Sequence, residues 1–429
     1  MKTVIYQILP RLWGSGRFSA IDCKTLRHIK SLGADYVWYT GVPRHASGQD
    51  FVKGNPGSPY AIEDWYDVNP YLADDPERRM DEFKDLVRRT HEAGMKVCTD
   101  YIPNHVARNY KGLLPHFNHC DYDWTDTLKV DWSNPGTVDE MAEILEFWAG
   151  LGVDAFRCDM VELVPAEALG VLTRRIRKAH PSVIFIAEVY ERNNYSRYLD
   201  VAGFDYLYDK SGSYDILRGI LCDGRPAWDL TQNWQFLGPR QERMVNFLEN
   251  HDEQRIACEW FCGSAGKAMA ALAFSALFNN AAWMVYFGQE VGENAEEGFY
   301  GRTSIFEWST PASISRLHTY LTKGGRLRAA EATVLAKYRE IAEYAKLPAF
   351  SSGWNWDLCY CQREGFDHAS HFAFVRFTAE DAYLVFCNFS SESVTLTINI
   401  PSELCKFSSE AQIQITAAPW DYRIVKLSK

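Results

Sequence analysis

Strand-like and helix-like segments alternate from the first residues to about position 345, and this alternation limits the fold more than any other feature of the chain. Val4 to Ile8 reads as a strand. A helix around Leu26, Ile29 and Leu32 stops at Gly33, and Tyr36 to Thr40 is strand again. The next helix takes Asp75 as N-cap and Pro76 at its first position. It lines up Met80, Phe83, Leu86 and Val87 on one face and ends at Gly94, after which Lys96 to Asp100 returns as a strand. Thr137 and Glu140 form a capping-box pattern opening a helix with Met141, Ile144, Leu145 and Trp148 inward, which leads into the strand GVDAFRCDM at 152 to 160. Further strands are expected at Val183 to Glu188, Phe204 to Leu207, Val245 to Leu248 and Trp283 to Tyr286. Eight β/α units without internal doubling point to a closed (β/α)8 barrel rather than an open doubly wound sheet.

From about residue 350 the pattern changes. HFAFVRF, YLVFCNF, VTLTINI and YRIVKL alternate apolar and polar residues with no helices between them, as an antiparallel β-sandwich requires. The expected class is therefore α/β, a TIM barrel with a C-terminal antiparallel β-sandwich domain. Residues 1–104 and 133–348 make the barrel, 105–132 a short insertion after strand 3, and 349–429 the second domain. Two connections exceed ordinary βα loops, 41 to 74 and 101 to 136, and loops of that size at the C-terminal face of a barrel usually build a site.

The 429 residues carry 45 basic against 56 acidic side chains, a net charge of −11 with no long Lys/Arg cluster, which argues against nucleic acid or an anionic membrane as partner. Aromatics reach 14%, enough both for a core and for flat faces against sugars. The opening MKTVIYQILPRLWG has no signal-peptide h-region, and the odd count of 11 cysteines argues against a disulfide framework, so a cytoplasmic location is expected.

Chemistry in a barrel collects where strands end. Strand 3 ends CTDYIPNH, with Asp100, Asn104 and His105. Strand 4 ends with Arg157 and Asp159, strand 5 with Glu188 in FIAEVY, and strand 7 with Asn250, His251 and Asp252 in FLENHD. Residues 157 and 159 share one wall of their strand because side chains alternate faces. One R-x-D pair is ordinarily a structural ion pair. Four strands delivering acids to one rim, with two histidines and an arginine, cost too much in repulsion and desolvation to be structural alone.

DYIPNH, GVDAFRCDM, the Glu of IAEVY, and ENHD, in this order, resemble the four signature segments of the α-amylase family of glycoside hydrolases, family 13. The likeness extends from YQILPR through GQEVG at 288 to 292. It implies Asp159 as nucleophile, Glu188 as general acid/base and Asp252 as the third acid, holding hydroxyls of a distorted sugar. His105 and His251 match positions that bind hydroxyls of the same sugar, and Tyr60 in SPYAIEDW matches a ring stacked on it. Arg157 beside Asp159 is expected to keep that carboxylate ionised while Glu188, near other acids, is pushed toward its protonated form. Asp100 is expected to order Arg157 and its loop, with Asn250 as a supporting residue. Asn104 matches a position that binds structural Ca2+ in many relatives, and the chemistry itself needs no cofactor.

The resemblance implies a retaining α-glucan hydrolase cleaving α-1,4 bonds in maltodextrins or starch-like chains. A 4-α-glucanotransferase sharing the glycosyl-enzyme intermediate is the alternative, and a non-catalytic glucan-binding barrel a third reading. Two departures bear on this. The Lys-His pair that follows the nucleophile in many relatives is replaced by Met160-Val161-Glu162-Leu163, which leaves acceptor preference open; the oligomeric state is not readable from the sequence. The short insertion holds His116, His119, Cys120, Asp121 and Asp123, a mixture suited neither to zinc nor to calcium and explained more simply by loop polarity.

Overall fold

The computed structural model describes residues 2–428 except Glu297, Ser304, Glu307 and Trp308, and of Phe299 only the backbone. The eight expected strands are present: β1 (Val4–Ile8), β2 (Tyr36–Tyr39), β3 (Lys96–Tyr101), β4 (Ala155–Cys158), β5 (Ile184–Ala187), β6 (Tyr206–Tyr208), β7 (Met244–Phe247) and β8 (Ala282–Tyr286). They form a closed barrel in which each strand lies beside its neighbours in sequence. β1, β4, β7 and β8 are buried along their whole length, because a parallel barrel strand is covered on both faces.

Helices α1 (Cys23–Ser31), α2 (Arg79–Glu92) and α3 (Gly136–Gly150) follow the expected periodicities. Two starts differ in detail. Asp75 caps a short 3₁₀ turn, Pro76–Arg78, whose Glu77 N–H it accepts at 3.1 Å, and α2 continues from there. No capping box opens α3. The helix begins at Gly136, the Thr137 hydroxyl donates to the Asp131 carbonyl at 2.5 Å, and Glu140 instead accepts from Tyr66 Oη at 3.3 Å. The Asp131 backbone carbonyl and the Tyr66 hydroxyl outcompeted the local reciprocal cap.

The chain divides into two compact units. One holds residues 5–208 and 303–327, the other residues 1–4, 209–302 and 328–429. In the first, both long connections fold into hairpins. Pro43–His45 pairs with Ile62–Val68, and His105–Ala107 pairs with Thr127–Lys129. The second contains the C-terminal strands β9 (Trp354–Asp357), β10 (His371–Phe377), β11 (Ala382–Asn388), β12 (Val394–Asn399), β13 (Gln412–Ala417) and β14 (Tyr422–Lys426). They form a four-stranded antiparallel sheet, β9-β10-β11-β14, and a β12-β13 pair. Among the described residues no helix is long and apolar enough to cross a membrane.

The segment after β7 is fastened by a wholly buried ion pair. Arg255 Nη1 donates to Glu249 Oε2 at 2.7 Å, Glu249 Oε1 accepts the Ile256 N–H at 2.8 Å, and Arg255 Nη2 donates to the Phe287 carbonyl at 2.9 Å. Tyr286 covers the guanidinium at 4.2 Å from its ring centroid. Removing one member strands the other charge out of water. Arg255→Met is therefore expected to lower unfolding free energy by about 3–5 kcal/mol in urea denaturation, and a loss under ~1 kcal/mol would show that the pair is not holding this segment.

Candidate active site

The rim of β3, β4 and β5 is built by register. Asp100 lies opposite Arg157 across β3 and β4, and Arg157 opposite Ile186 across β4 and β5. The ladder continues past the strand ends, where the Asp159 N–H donates to the Tyr101 carbonyl at 2.9 Å and the Glu188 N–H to the Cys158 carbonyl at 3.1 Å. Asp159 and Glu188 are thus fixed by backbone pairing before their side chains make any contact.

Arg157 is fully buried, yet it is the hub of the site. Its Nη1 donates to Asp159 Oδ1 at 2.5 Å, and its Nη2 lies 3.2 Å from Glu188 Oε1. The second contact is an ion pair without the alignment of a hydrogen bond. Because one planar fork spans both carboxylates, their near oxygens lie roughly 8 Å apart or less, a limit that admits the ~5 to 5.5 Å of a retaining pair. Trp38, Tyr60 and Tyr208 surround the guanidinium, with ring centroids 5.4, 5.6 and 5.5 Å from Cζ. Burial works against its charge, but Glu188 first, then Tyr208, Tyr60 and Asp159, hold the guanidinium pKa well above its ordinary value, so it stays cationic.

Arg157 therefore does not sort the two carboxyls in the way the sequence suggests. It was expected to serve Asp159 alone; it touches both. What distinguishes Glu188 is its own set of neighbours. Its Oε2 accepts the Met160 N–H at 3.0 Å, and its Oε1 accepts from Tyr190 Oη at 2.6 Å. Met160 sits at φ 45°, ψ 37°, a left-handed conformation uncommon for a residue with a side chain. Glu162 pins the same stretch, taking the Tyr190 N–H at 2.8 Å and Asn194 Nδ2 at 2.9 Å. Sequence reading missed Tyr190, although its place two residues beyond Glu188 puts it on the same face.

Asp100, expected to order Arg157 and its loop, reaches the connection after β2. It accepts the Gly41 N–H at 3.3 Å and Tyr60 Oη at 3.2 Å. Tyr60 is itself 8% exposed, so its ring forms wall beside Arg157. His105 stands on the hairpin with its ring 5.3 Å from that of Trp124.

In the other unit, Asn250, His251 and Asp252 stay together. Asn250 Oδ1 accepts the N–H groups of Asp252 and Glu253, both at 2.9 Å, and His251 Nε2 lies 3.0 Å from Asp252 Oδ2. The Asp252 side chain is 41% exposed.

Asn104 does not fit a Ca2+ ligand set. Its Nδ2 donates to Asp121 Oδ2 at 2.9 Å, and Asp121 Oδ1 accepts from Lys129 Nζ, also at 2.9 Å. Burial raises the Asp121 pKa, but Lys129 and Asn104 outweigh it and hold the carboxyl below its usual range. Asn104 Oδ1 alone lacks a partner. One oxygen beside an ammonium falls far short of the 6–8 oxygens calcium takes. The other polar loop residues are engaged elsewhere: His116 Nδ1 meets the Leu114 carbonyl at 2.8 Å and the His119 ring stacks on Phe117 at 5.1 Å. Among the described residues no group of three or more His, Cys, Asp or Glu could hold a metal.

A sequence profile described as "Alpha amylase, catalytic domain" matches residues 14–126. Among curated proteins the chain is 23% identical over 342 residues to a cyclomaltodextrinase of a Bacillus species, covering 72% of this chain and 58% of that protein. It is 26% identical over 424 residues to the α-amylase MalA of Haloarcula japonica, covering 92% and 56%. The chain thus spans less than three fifths of the length of these relatives. In fold it matches the α-amylase of Geobacillus thermoleovorans, solved with acarbose, with a TM-score of 0.77, 17% identity, and 100% and 98% of the two chains covered. The barrel with its C-terminal β domain is the fold of that solved α-amylase. The family match covers residues 14–126, and the likeness in fold extends over the whole chain.

Burial holds His105 and, in the neighbouring hairpin, His45 down to about 4, so both are neutral in the fold. Unfolded, they return to about 6.5. The unfolded state binds more protons between those values, so their contribution to stability is complete above pH ~6.5 and is lost as pH falls toward 4. The urea midpoint should drop from pH 7 to pH 5, and less steeply in a His45→Gln/His105→Gln chain. Equal slopes would contradict the assignment.

Proposed function

We propose that the protein is a retaining α-glucan hydrolase acting on α-1,4-glucosidic bonds of maltodextrins or starch-like chains. The observation that carries this reading is the single guanidinium of Arg157 reaching both Asp159 and Glu188 at the rim of β4 and β5. In the first step an Asp159 carboxylate oxygen attacks the anomeric carbon, the bond to the glycosidic oxygen breaks, and Glu188 gives that oxygen its proton. In the second, Glu188 takes a proton from water as that water displaces Asp159, returning both groups to their starting states.

Within this reading Tyr190 tracks the proton. Its hydroxyl donates to Glu188 when the carboxylate is ionised and accepts from it when protonated. Asp252 is assigned to hydroxyls of the reacting sugar, with His251 beside it, and Tyr60 and His105 to the same sugar. The cyclomaltodextrinase and α-amylase names of the relatives support the substrate class. Transfer to another sugar differs only in which hydroxyl takes the place of water, so products from maltotriose separate the two: glucose and maltose for hydrolysis, longer chains for 4-α-glucan transfer.

Asp159→Asn should abolish turnover of maltoheptaose while leaving the thermal unfolding midpoint within a few degrees of the parent. Unchanged activity would refute the nucleophile. Glu188→Gln should slow unactivated maltodextrins by about 10²–10⁴-fold. It should spare an activated aryl maltoside far more in the first step, and equal losses on both would contradict its role as acid.

A further inference from the structure

We propose that the unit carrying the C-terminal sheets has a second carbohydrate-binding groove, separate from the rim residues, which docks an α-glucan chain. The choice of glucan rests on the function proposed above; the groove itself does not. It has a volume of ≈ 670 Å³ and lies between helix Asp229–Leu237 with its preceding turn and the segment from β9 to His368.

Its character is set by rings held open to solvent. Trp228 is 48% exposed and Tyr360 60% exposed, both on the lining. Trp356 lies in β9, and its Nε1 donates to Tyr360 Oη at 3.3 Å, which fixes the two rings relative to each other. With Trp234, four large aromatic side chains around one concavity offer flat apolar faces that a pyranose C–H face can cover. Leaving them uncovered forgoes burial that the fold gives Trp13, Trp38, Trp65, Trp148 and Trp283.

The polar lining narrows the ligand. No Lys or Arg lines the groove, so phosphates and other anions find no permanent cation there. The one carboxylate, Asp357, is already engaged by the Thr231 hydroxyl and by the Cys359 N–H at 2.7 Å. What remains are the His368 imidazole and amides, Gln232 and Asn355 among them. Both polar atoms of the Asn355 amide lack a hydrogen-bond partner in the fold, and a rotation of that amide toward the groove would let it donate to and accept from hydroxyls. A neutral ligand with apolar faces and a rim of hydroxyls satisfies all of these features, and a glucan chain is such a ligand.

The test is native gel electrophoresis through glycogen in the Asp159→Asn background, so that the polymer is not consumed. Adding Trp228→Ala and Tyr360→Ala should weaken retardation by roughly tenfold. The same pair in the active enzyme should leave kcat/KM on a short aryl maltoside within about twofold, which also reports that the fold is intact. Retardation unchanged by the pair overturns the groove, as does an equal loss of short-substrate activity. If turnover of glucans is absent altogether yet retardation still depends on the two rings, the groove stands and the hydrolase reading falls.

Discussion

A buried guanidinium between two carboxylates is the interaction on which the rest of the site depends. Arg157 sits on a strand covered on both faces, and its charge is sustained by Asp159, Glu188 and the rings of Trp38, Tyr60 and Tyr208. Burying such a cation without partners would cost several kcal/mol, so the acids and the cation require one another. That mutual need holds Asp159 and Glu188 at fixed positions with little freedom to relax, the condition under which carboxyls act on a bound sugar without first reorganising. The loops follow from the same hub: Asp100, opposite Arg157, ties down Gly41 and Tyr60.

Most of this architecture was legible in the sequence. The eight strands appear within three residues of their expected positions because each is a short apolar run closed by turn chemistry, and length separates such runs from helices. The rim acids were legible because charged residues at strand ends contradict the local pattern, and local contradictions mark function. Less visible were contacts that depend on distant chain. Thr137 and Glu140 read as a cap, but Asp131 and Tyr66 claimed them instead. Tyr190 was overlooked because a lone tyrosine carries no signal until Glu188 is placed beside it. The second contact of Arg157 was missed for the same reason: the motif contains Asp159, whereas Glu188 arrives from the next strand.

The hairpin after β3 illustrates how one position can keep its residue and change its task. Asn104 has the identity of a calcium ligand, yet Lys129 delivers a cation to Asp121 from the opposite strand of the hairpin. The Lys129 ammonium thereby neutralises the Asp121 carboxylate. Identity at one position was readable from sequence; the neighbour that overrules it is 25 residues further along the chain.

The most direct test of the central claim is peptide mapping by mass spectrometry of Glu188→Gln protein quenched after reaction with an activated fluorinated glucosyl donor. An intermediate held by a carboxylate beside Arg157 predicts a single covalent hexosyl adduct on the peptide containing Asp159. An adduct on another acid, or no adduct while the donor is consumed and the β-anomer of the product forms first, would contradict it.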